Sequence, residues 1–455
     1  MNQVVRGCYG ISLHQLPVYG PAGNGGIPFL LNKIGGNEMK ESENGRKVLP
    51  SLFAGIDVSQ EWFHVAVVDS KGKTVVSARK YDNNGPGIGS MWNEMQTVSG
   101  KLGMHMAYAM ESSGIYHIDL LAFLSGACAD VTCLNPLSLS GERQSKLRKT
   151  KTDELDCGLI AEYMRKNHMV HEGTKWSEDD ARLRERTRVR QRLIEKKSIV
   201  LTQMRRDLDM LCPGLSQNIG EMDAPSSIEL LKCFCLHSKL FSAAADEIES
   251  VIAPFYTDRS KAGVKAKKLE EIFAGRKAAS GMEEPLVDEI RYLIAELELI
   301  YRCIGQQEIK IEKEMEKKES VVSTVPGIGS VTAAVIEAEI GDPHRFGNEA
   351  DITAFAGLDS AVRRSGKYEG EVHISKRGSV SLRTALVQAS LSAVKCNPSC
   401  AAMYDRLIEK GKHRKVARIA VARKLLLQAW SVMKNGKAFE IDEGYLNGKA
   451  AGSTA

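Results

Sequence analysis

Hydrophobic and polar positions begin to alternate in an ordered way at Leu52. LFAGIDV, WFHVAVVD and TVVSARKY are short runs rich in β-branched and aromatic residues, and each predicts a strand. Residues 69–73 (DSKGK) predict a hairpin turn with glycine. HMAYAM predicts a fourth strand, YHIDLLAFLSG a helix ending on glycine, and DVTCLNP a fifth strand stopped by Pro136. A basic loop, ERQSKLRKTK, leads into a helix from residue 153 to about 166. A three-stranded meander followed by strand–helix–strand indicates an α/β domain, with functional side chains at the strand ends.

Beyond this domain the period changes to that of long helices. Residues 179–211 predict one helix, with Leu201, Met204, Leu208 and Leu211 stepping by three and four as on a buried seam. Its first half is dense in cations, among them Arg182, Arg186, Arg190 and Lys197, which outnumber the local acids Glu185 and Glu195 and predict a nucleic-acid-binding face, and Pro213 and Gly214 stop it. A second helix over 284–318 carries the stripe Ile290, Leu293, Ile294, Leu297, Ile300 and Ile304. Two such helices around an insert predict a coiled-coil arm, either dimerising or folded back as an αα-hairpin. The insert, roughly 215–283, reads as helical and mixed in charge, without an assigned role. From Ser320 the chain reads VPGIGSVTAAVIEAEIG, a glycine turn entering a helix, then a helix over 352–358. A basic, glycine-punctuated loop or hairpin follows (RRSGKYEGEVHISKRGS), then apolar-periodic helices over 380–395 and 416–433.

Composition narrows the class. With 455 residues, 43% hydrophobic and 26% charged, the chain is a globular protein of two or three domains. A net charge of +5 is a weak hint of a polyanionic partner. No apolar run reaches the length of a membrane span, and no secretory signal is evident, so a cytoplasmic protein is expected. The ten cysteines are scattered, as for reduced thiols. Neither Cys233, Cys235 and His237 nor the pair Cys396 and Cys400 has a standard zinc spacing. Residues 1 to about 50 (GPAGNGG, IGGNEMKESENGRK) read as a flexible extension, and residues 437–455 as a disordered tail.

Four acidic residues carry the candidate chemistry: Asp57, Glu111, Asp153 and Asp156. Asp57 and Glu111 terminate apolar strands, where a carboxylate has no packing reason to be. Asp153 and Asp156 are three apart and share a helix face. Taken singly, each is an ordinary surface acid, and KTDELD alone is a capped helix start. Together they suit hard divalent cations, Mg²⁺ or Mn²⁺, which take oxygen ligands and stabilise attacking and leaving oxygens in phosphoryl transfer. PGIG resembles the turn of a helix-hairpin-helix, whose glycine amides (Gly327, Gly329) cradle a phosphate. An ordinary turn is the competing reading. Arg363-Arg364-Ser365-Gly366-Lys367 has the makings of a nucleophile site, because flanking cations offset the charge on serine and phosphate. Ser375, in ISKRG with Lys376 and Arg377, competes with Ser365, and a DNA-contacting loop without covalent chemistry is the plainer alternative.

These segments together resemble the DEDD transposases of bacterial insertion sequences, the "one-ten" family, which includes the Piv-type DNA invertases. The resemblance covers most of residues 52–435 and rests on the ordered set KTDxxD, the preceding Asn135-Pro136, PGIG, F-x-GL (355–358), SG, and ISKRG with downstream Arg383. It implies a RuvC-like, RNase H-type α/β nuclease domain over 51–170, a coiled-coil helical region with insert over 171–319, and a mostly helical transposase domain with a helix-hairpin-helix-like element over 320–436. It implies that Asp57, Glu111, Asp153 and Asp156 are the metal-binding tetrad and that Ser365 is the nucleophile. It implies donor and target DNA as substrates, a structured bridge RNA as guide, and a homodimer or tetramer with composite active sites. The N-terminal extension and the length of the insert depart from the family pattern. The expected function is therefore a Mg²⁺-dependent, RNA-guided DNA recombinase of a mobile element. The alternatives are a Piv-like invertase without guide RNA, or a non-catalytic nucleic-acid-binding protein on a RuvC-like scaffold.

Overall fold

The computed structural model describes residues 50–111, 114–134, 139, 153–168, 177–235, 243–274, 282–361, 364–365, 368–369 and 373–440. The N-terminal extension, the basic loop before Asp153, and the C-terminal tail from residue 441 lie outside the described residues.

Strands β1 (Leu52–Val58), β2 (Trp62–Asp69) and β3 (Thr74–Asp82) form the expected meander. Strands β4 (Met106–Glu111) and β5 (Asp130–Leu134) extend it into one five-stranded mixed sheet of order β3-β2-β1-β4-β5. β1 runs antiparallel to β2 and parallel to β4, which is parallel to β5. Between β3 and β4 stands helix α1 (Gly85–Leu102), in a stretch for which the sequence predicted no element. Its first residues, NNGPGIG, are rich in glycine. The structure starts the helix there, because the Asn84 side chain accepts from the Gly87 amide and proline fits the first turn. Helix α2 (Ile118–Gly126) joins β4 to β5.

The period-two rule of strands sorts the sheet into two faces. Leu52, Ala54 and Ile56 of β1, with Met106, Tyr108 and Met110 of β4, pack under Met91 and Met95 of α1 and Leu120 and Leu124 of α2. Phe53, Ala107 and Ala109 point the other way, onto Ile160, Ala161 and Met164 of helix α3 (Asp153–Asn167). This arrangement is compatible with an RNase H-like α/β domain.

Downstream the chain is mostly helical. Helix α4 (Glu178–Leu211) is followed by short helices α5 (Leu215–Asn218), α6 (Pro225–Cys235), α7 (Ala245–Ile252) and α8 (Arg259–Phe273). Helix α9 (Glu283–Lys318) returns antiparallel to α4, since Asp180 pairs with Lys318 and Arg190 with Glu308. The two long helices thus pair within one chain. Of the predicted α4 seam, Met204, Leu208 and Leu211 are buried; Val200 completes it, and Leu201 is only partly buried. The stripe from Ile290 to Ile304 is buried in the same core, together with residues of α6, α7 and α8.

A separate core joins α10 (Ser330–Ile340), α11 (Glu349–Ala356), α12 (Val380–Cys396), α13 (Pro398–Glu409) and α14 (Arg414–Asn435). Helix α13 was not predicted from the sequence. Asn397 caps it by accepting from the Cys400 amide, and Pro398 opens its first turn. Leu183 of α4 and Ile311 and Met315 of α9 also belong to this core, so one end of the long pair anchors in it. Between α11 and α12 the basic segment forms two small antiparallel ladders: β6 (Ser360–Ala361) with β9 (His373–Ile374), and β7 (Arg364–Ser365) with β8 (Tyr368–Glu369). No helix among the described residues is long and apolar enough to cross a membrane.

Candidate functional site

Parity places the first two acids. Asp57 follows Phe53 and Gly55 in steps of two, and Glu111 follows Ala107 and Ala109, so both carboxylates belong to the sheet face that α3 covers. β1 and β4 are parallel with Ile56 opposite Met110, so the next step sets Asp57 beside Glu111, at the strand separation of about 5 Å. Asp156 lies in the first turn of α3, and Asp153 is its first residue.

What holds α3 against these strand ends is Gly55. A Cβ there would fall inside the backbone of Cys157 and Ala161, so only glycine lets the helix approach. The approach is visible at Cys157. Burial pushes its thiol up to about 12, and the nearby Asp57 and Asp156 carboxylates push the same way. Glu111 is only 8% exposed and Asp156 only 7%. Two carboxylates withdrawn from water beside a third on a neighbouring strand are costly without compensation. The donor set is all oxygen, which fits a hard divalent cation. Among the described residues, no three histidine, cysteine or acidic side chains converge closely enough to hold an ion as they stand. Asp153 is placed by its backbone alone.

The second group of candidates surrounds the small ladders. F-x-GL and ISKRG, about twenty residues apart in sequence, are pressed together. The Ser379 amide donates to the Phe355 carbonyl at 2.8 Å, Lys376 to Gly357 at 3.3 Å, and Ser375 to Asp359 at 2.9 Å. Gly357 takes φ +65°, and a side chain there would meet Arg383 Nη1 at 2.5 Å. Lys376 is itself in the left-handed region at φ +55°, and it and Arg377 are exposed. The Ser375 hydroxyl donates to the Asp359 carboxylate and accepts from the Arg377 amide, so it builds the turn. Arg364 and Ser365 lie on β7, with Ser365 opposite Tyr368. Arg363 and Lys367 lie outside the described residues.

Beneath this segment runs a network the sequence reading missed. The Arg345 guanidinium sits 4.6 Å from the ring centroids of both Phe346 and Phe355 and donates to the Glu339 carbonyl at 3.2 Å. Burial, with Arg184 nearby, lowers its pKa to about 10. The Glu339 carboxylate takes both Arg188 (2.9 and 3.2 Å) and the Ser379 hydroxyl (3.0 Å). These residues sit scattered on four elements, so no local pattern marks them.

Gly327, Arg383 and the cations of α4 each have neighbours or partners within the chain. Gly327, at φ +99°, lies where a Cβ would come within 2.6 Å of Ala393, so glycine is required there for packing on α12. Arg383 is half-buried and donates to the Ala356 carbonyl at 3.1 Å. The cations of α4, which outnumber the acids beside them in sequence, meet acids from distant segments. Arg186 bonds Glu314 at 2.6 Å, Arg190 bonds Glu308 at 2.6 Å, Arg182 reaches Glu314 at 3.1 Å, and Lys197 reaches Asp223 at 3.2 Å. Most of those acids arrive on α9, more than a hundred residues later. Gly329 keeps open space and precedes α10, which no side chain caps.

Sheet, acids and basic helical domain together define an enzyme of the DNA transposase and recombinase class. A DEDD-type IS110 family model described as "Transposase" matches residues 54–213, and one described as "Transposase IS116/IS110/IS902 family" matches 319–405. The chain belongs to the IS110 family of transposases. It is 21% identical over 397 residues to an insertion element IS110 protein of 43.6 kDa from Streptomyces coelicolor, covering 86% of this chain and 95% of that one. It is 28% identical over 137 residues to the transposase of insertion sequence IS1111A from Coxiella burnetii, 30% of this chain and 38% of that one. It is 29% identical over 136 residues to the pilin gene-inverting protein of Moraxella bovis, 30% of this chain and 42% of that one.

Proposed function

We propose that this transposase cuts and rejoins DNA through Ser365, assisted by a divalent-metal site made from Asp57, Glu111, Asp153 and Asp156. The observation that carries the reading is the pairing of Asp57 and Glu111 at neighbouring parallel strand ends, on the face that α3 crosses. A Mg²⁺ or Mn²⁺ ion held there would neutralise charge on the reacting phosphate. Ser365 attacks a DNA phosphodiester, forming a serine–phosphorus bond as the bond to one sugar oxygen breaks. The serine proton ends on the departing hydroxyl, and the reverse attack by another strand's hydroxyl restores the serine. Ser365 is preferred to Ser375 because the Ser375 hydroxyl is committed to Asp359 and the turn. Exposed Lys376 and Arg377 are placed to contact the phosphate backbone, with Arg363, Arg364 and Lys367 as sequence neighbours of the nucleophile. The uncapped start of α10 after Gly329 supports phosphate binding of the helix-hairpin-helix kind.

The same reading takes residues 51–170 as a RuvC-like domain, 171–319 as a helical arm and 320–436 as the serine domain, acting as a dimer or pair of dimers. A bridge RNA encoded beside the gene guides the choice of donor and target DNA. The second reading, an invertase without guide RNA, is favoured by the similarity to the pilin gene-inverting protein. Recombination assayed with and without the flanking transcript separates the two.

Asp57→Asn or Asp156→Asn should abolish strand exchange while the protein stays folded, and Mg²⁺ should raise the unfolding temperature of the wild type by linkage. Ser365→Ala should bind DNA and form no protein–DNA adduct on a nicked substrate. Recombination by the wild type in excess chelator, or an adduct that depends on Ser375 instead, would overturn the assignment.

A further inference from the structure

The turn between α13 and α14 is dense in positive charge. Residues 406–418 hold Arg406, Lys410, Lys412, Arg414, Lys415 and Arg418 against a single acid, Glu409. Extended to residues 395–437, the count is eleven lysines and arginines against two acids, a local excess of nine where the whole chain has +5. Arg418 is half-buried and the other five cations are exposed, and none makes an ion pair with a described residue. The contrast with α4, whose arginines are held by acids, is internal to the molecule.

The arrangement is also unfavourable for the helix that carries it. Arg414 and Lys415 occupy the first turn of α14, where the helix dipole disfavours cations, and no acid is present there. Arg414 and Arg418 are four apart, a like-charge pair on one face about 6 Å along the axis. Neighbouring long helices follow the opposite rule: α4 opens with Glu178, Asp179 and Asp180, and α9 opens with acids and closes with lysines. A segment that violates a rule kept elsewhere is where a partner is expected to compensate.

We propose that the α13–α14 turn is a docking surface for the sugar–phosphate backbone of duplex DNA, gripping it without reading sequence. Duplex rather than single-stranded nucleic acid fits because the exposed face offers guanidinium and ammonium groups and no exposed aromatic ring on which unpaired bases could stack. His413, the one ring at the turn, is tied as the cap of α14 through its Nδ1 and the Lys415 amide. Residues 406–418 lie beyond both family matches, which end at 213 and 405, so this surface is assigned from the charge and structure of this chain alone. The proposal concerns binding and is independent of the nucleophile and of the acidic site.

The experiment is binding of an arbitrary-sequence DNA duplex to full-length protein over a series of salt concentrations. The fourfold variant Lys410→Gln, Lys412→Gln, Arg414→Gln, Lys415→Gln is compared with wild type. Each phosphate that the variant leaves without a cation takes about 0.9 off the slope of log affinity against log salt, so a drop of up to about 3.6 is expected, with affinity at low salt at least about tenfold weaker. The variant's unfolding temperature should equal or exceed that of wild type, because like-charge repulsion is removed. A second variant, Arg414→Lys with Arg418→Lys, keeps the charge and should keep the slope. An unchanged slope in the fourfold variant overturns the proposal. So does loss of binding to an RNA duplex with DNA binding intact, or loss of DNA binding in the charge-preserving variant.

Discussion

Helix α4 and the α13–α14 turn are two strongly cationic parts of the described chain, and they have opposite fates. On α4, Arg182, Arg186, Arg190 and Lys197 find Glu314, Glu308 and Asp223, so their charge is spent holding the long helical pair together. On the turn, six cations stand with one acid among them and no ion-pair partner among the described residues. Local charge density along a sequence is therefore a poor guide to a nucleic-acid surface. What matters is whether the fold delivers counter-charges, and α9 delivers them to α4 and not to the turn.

Several substitutions would break or sharpen this contrast. The largest effect is expected from Glu314→Lys. Its carboxylate is mostly buried and serves both Arg182 and Arg186, so the change leaves two arginines beside a third cation. It should cost about 2 to 3 kcal/mol of stability, read as a lower midpoint in denaturant, and should convert α4 into a nucleic-acid-binding face with a steeper salt slope. Smaller is Arg186→Gln with Arg190→Gln. Each partly exposed pair is worth up to about 1 kcal/mol, so stability should fall modestly while the DNA salt slope stays that of wild type. A flattened slope would show that α4 touches nucleic acid despite its acids. Smaller again is Glu409→Gln at the turn, which should leave stability unchanged and strengthen duplex binding slightly.

The smallest effect is a pH dependence from the buried His117 of the α/β domain. Burial, with the Arg184 charge nearby, lowers the pKa of His117 below its usual 6.5. Below that value the unfolded chain takes up a proton that the folded protein resists. The histidine therefore subtracts stability as pH falls below about 6.5. His117→Gln should flatten that part of the stability profile, measured as unfolding midpoint against pH. An unaltered profile would mean that the histidine is not protonated on unfolding over this range.

Much of the α/β domain was legible before the structure, for identifiable reasons. Its strands alternate or run apolar over five to nine residues, and their boundaries are turn residues, so periodicity located β1 to β5 closely. Helices α1 and α13 escaped because their starts look like loops. Glycine, asparagine and proline mark both a turn and a helix N-terminus, and only the cap hydrogen bonds distinguish them. Asp57 and Glu111 could be singled out because a carboxylate closing an apolar strand is anomalous. That Gly55 is what admits α3 to them was invisible, since the clash it avoids is with backbone a hundred residues away.

Short-range pattern determined the α/β class of the first domain, the long helices and the ordered motifs of an IS110-family transposase, and it singled out the residues proposed to carry its chemistry. Those properties depend on neighbours a few positions apart, which a chain displays directly. Tertiary structure alone decided that the helical pair closes within one chain and that Gly327 and Arg383 serve packing. It alone decided that α4 is neutralised while the α13–α14 turn is not. Each of these rests on an atom or a charge brought from a distant segment, and electrostatic and steric energies depend on separation in space, whatever the separation in sequence.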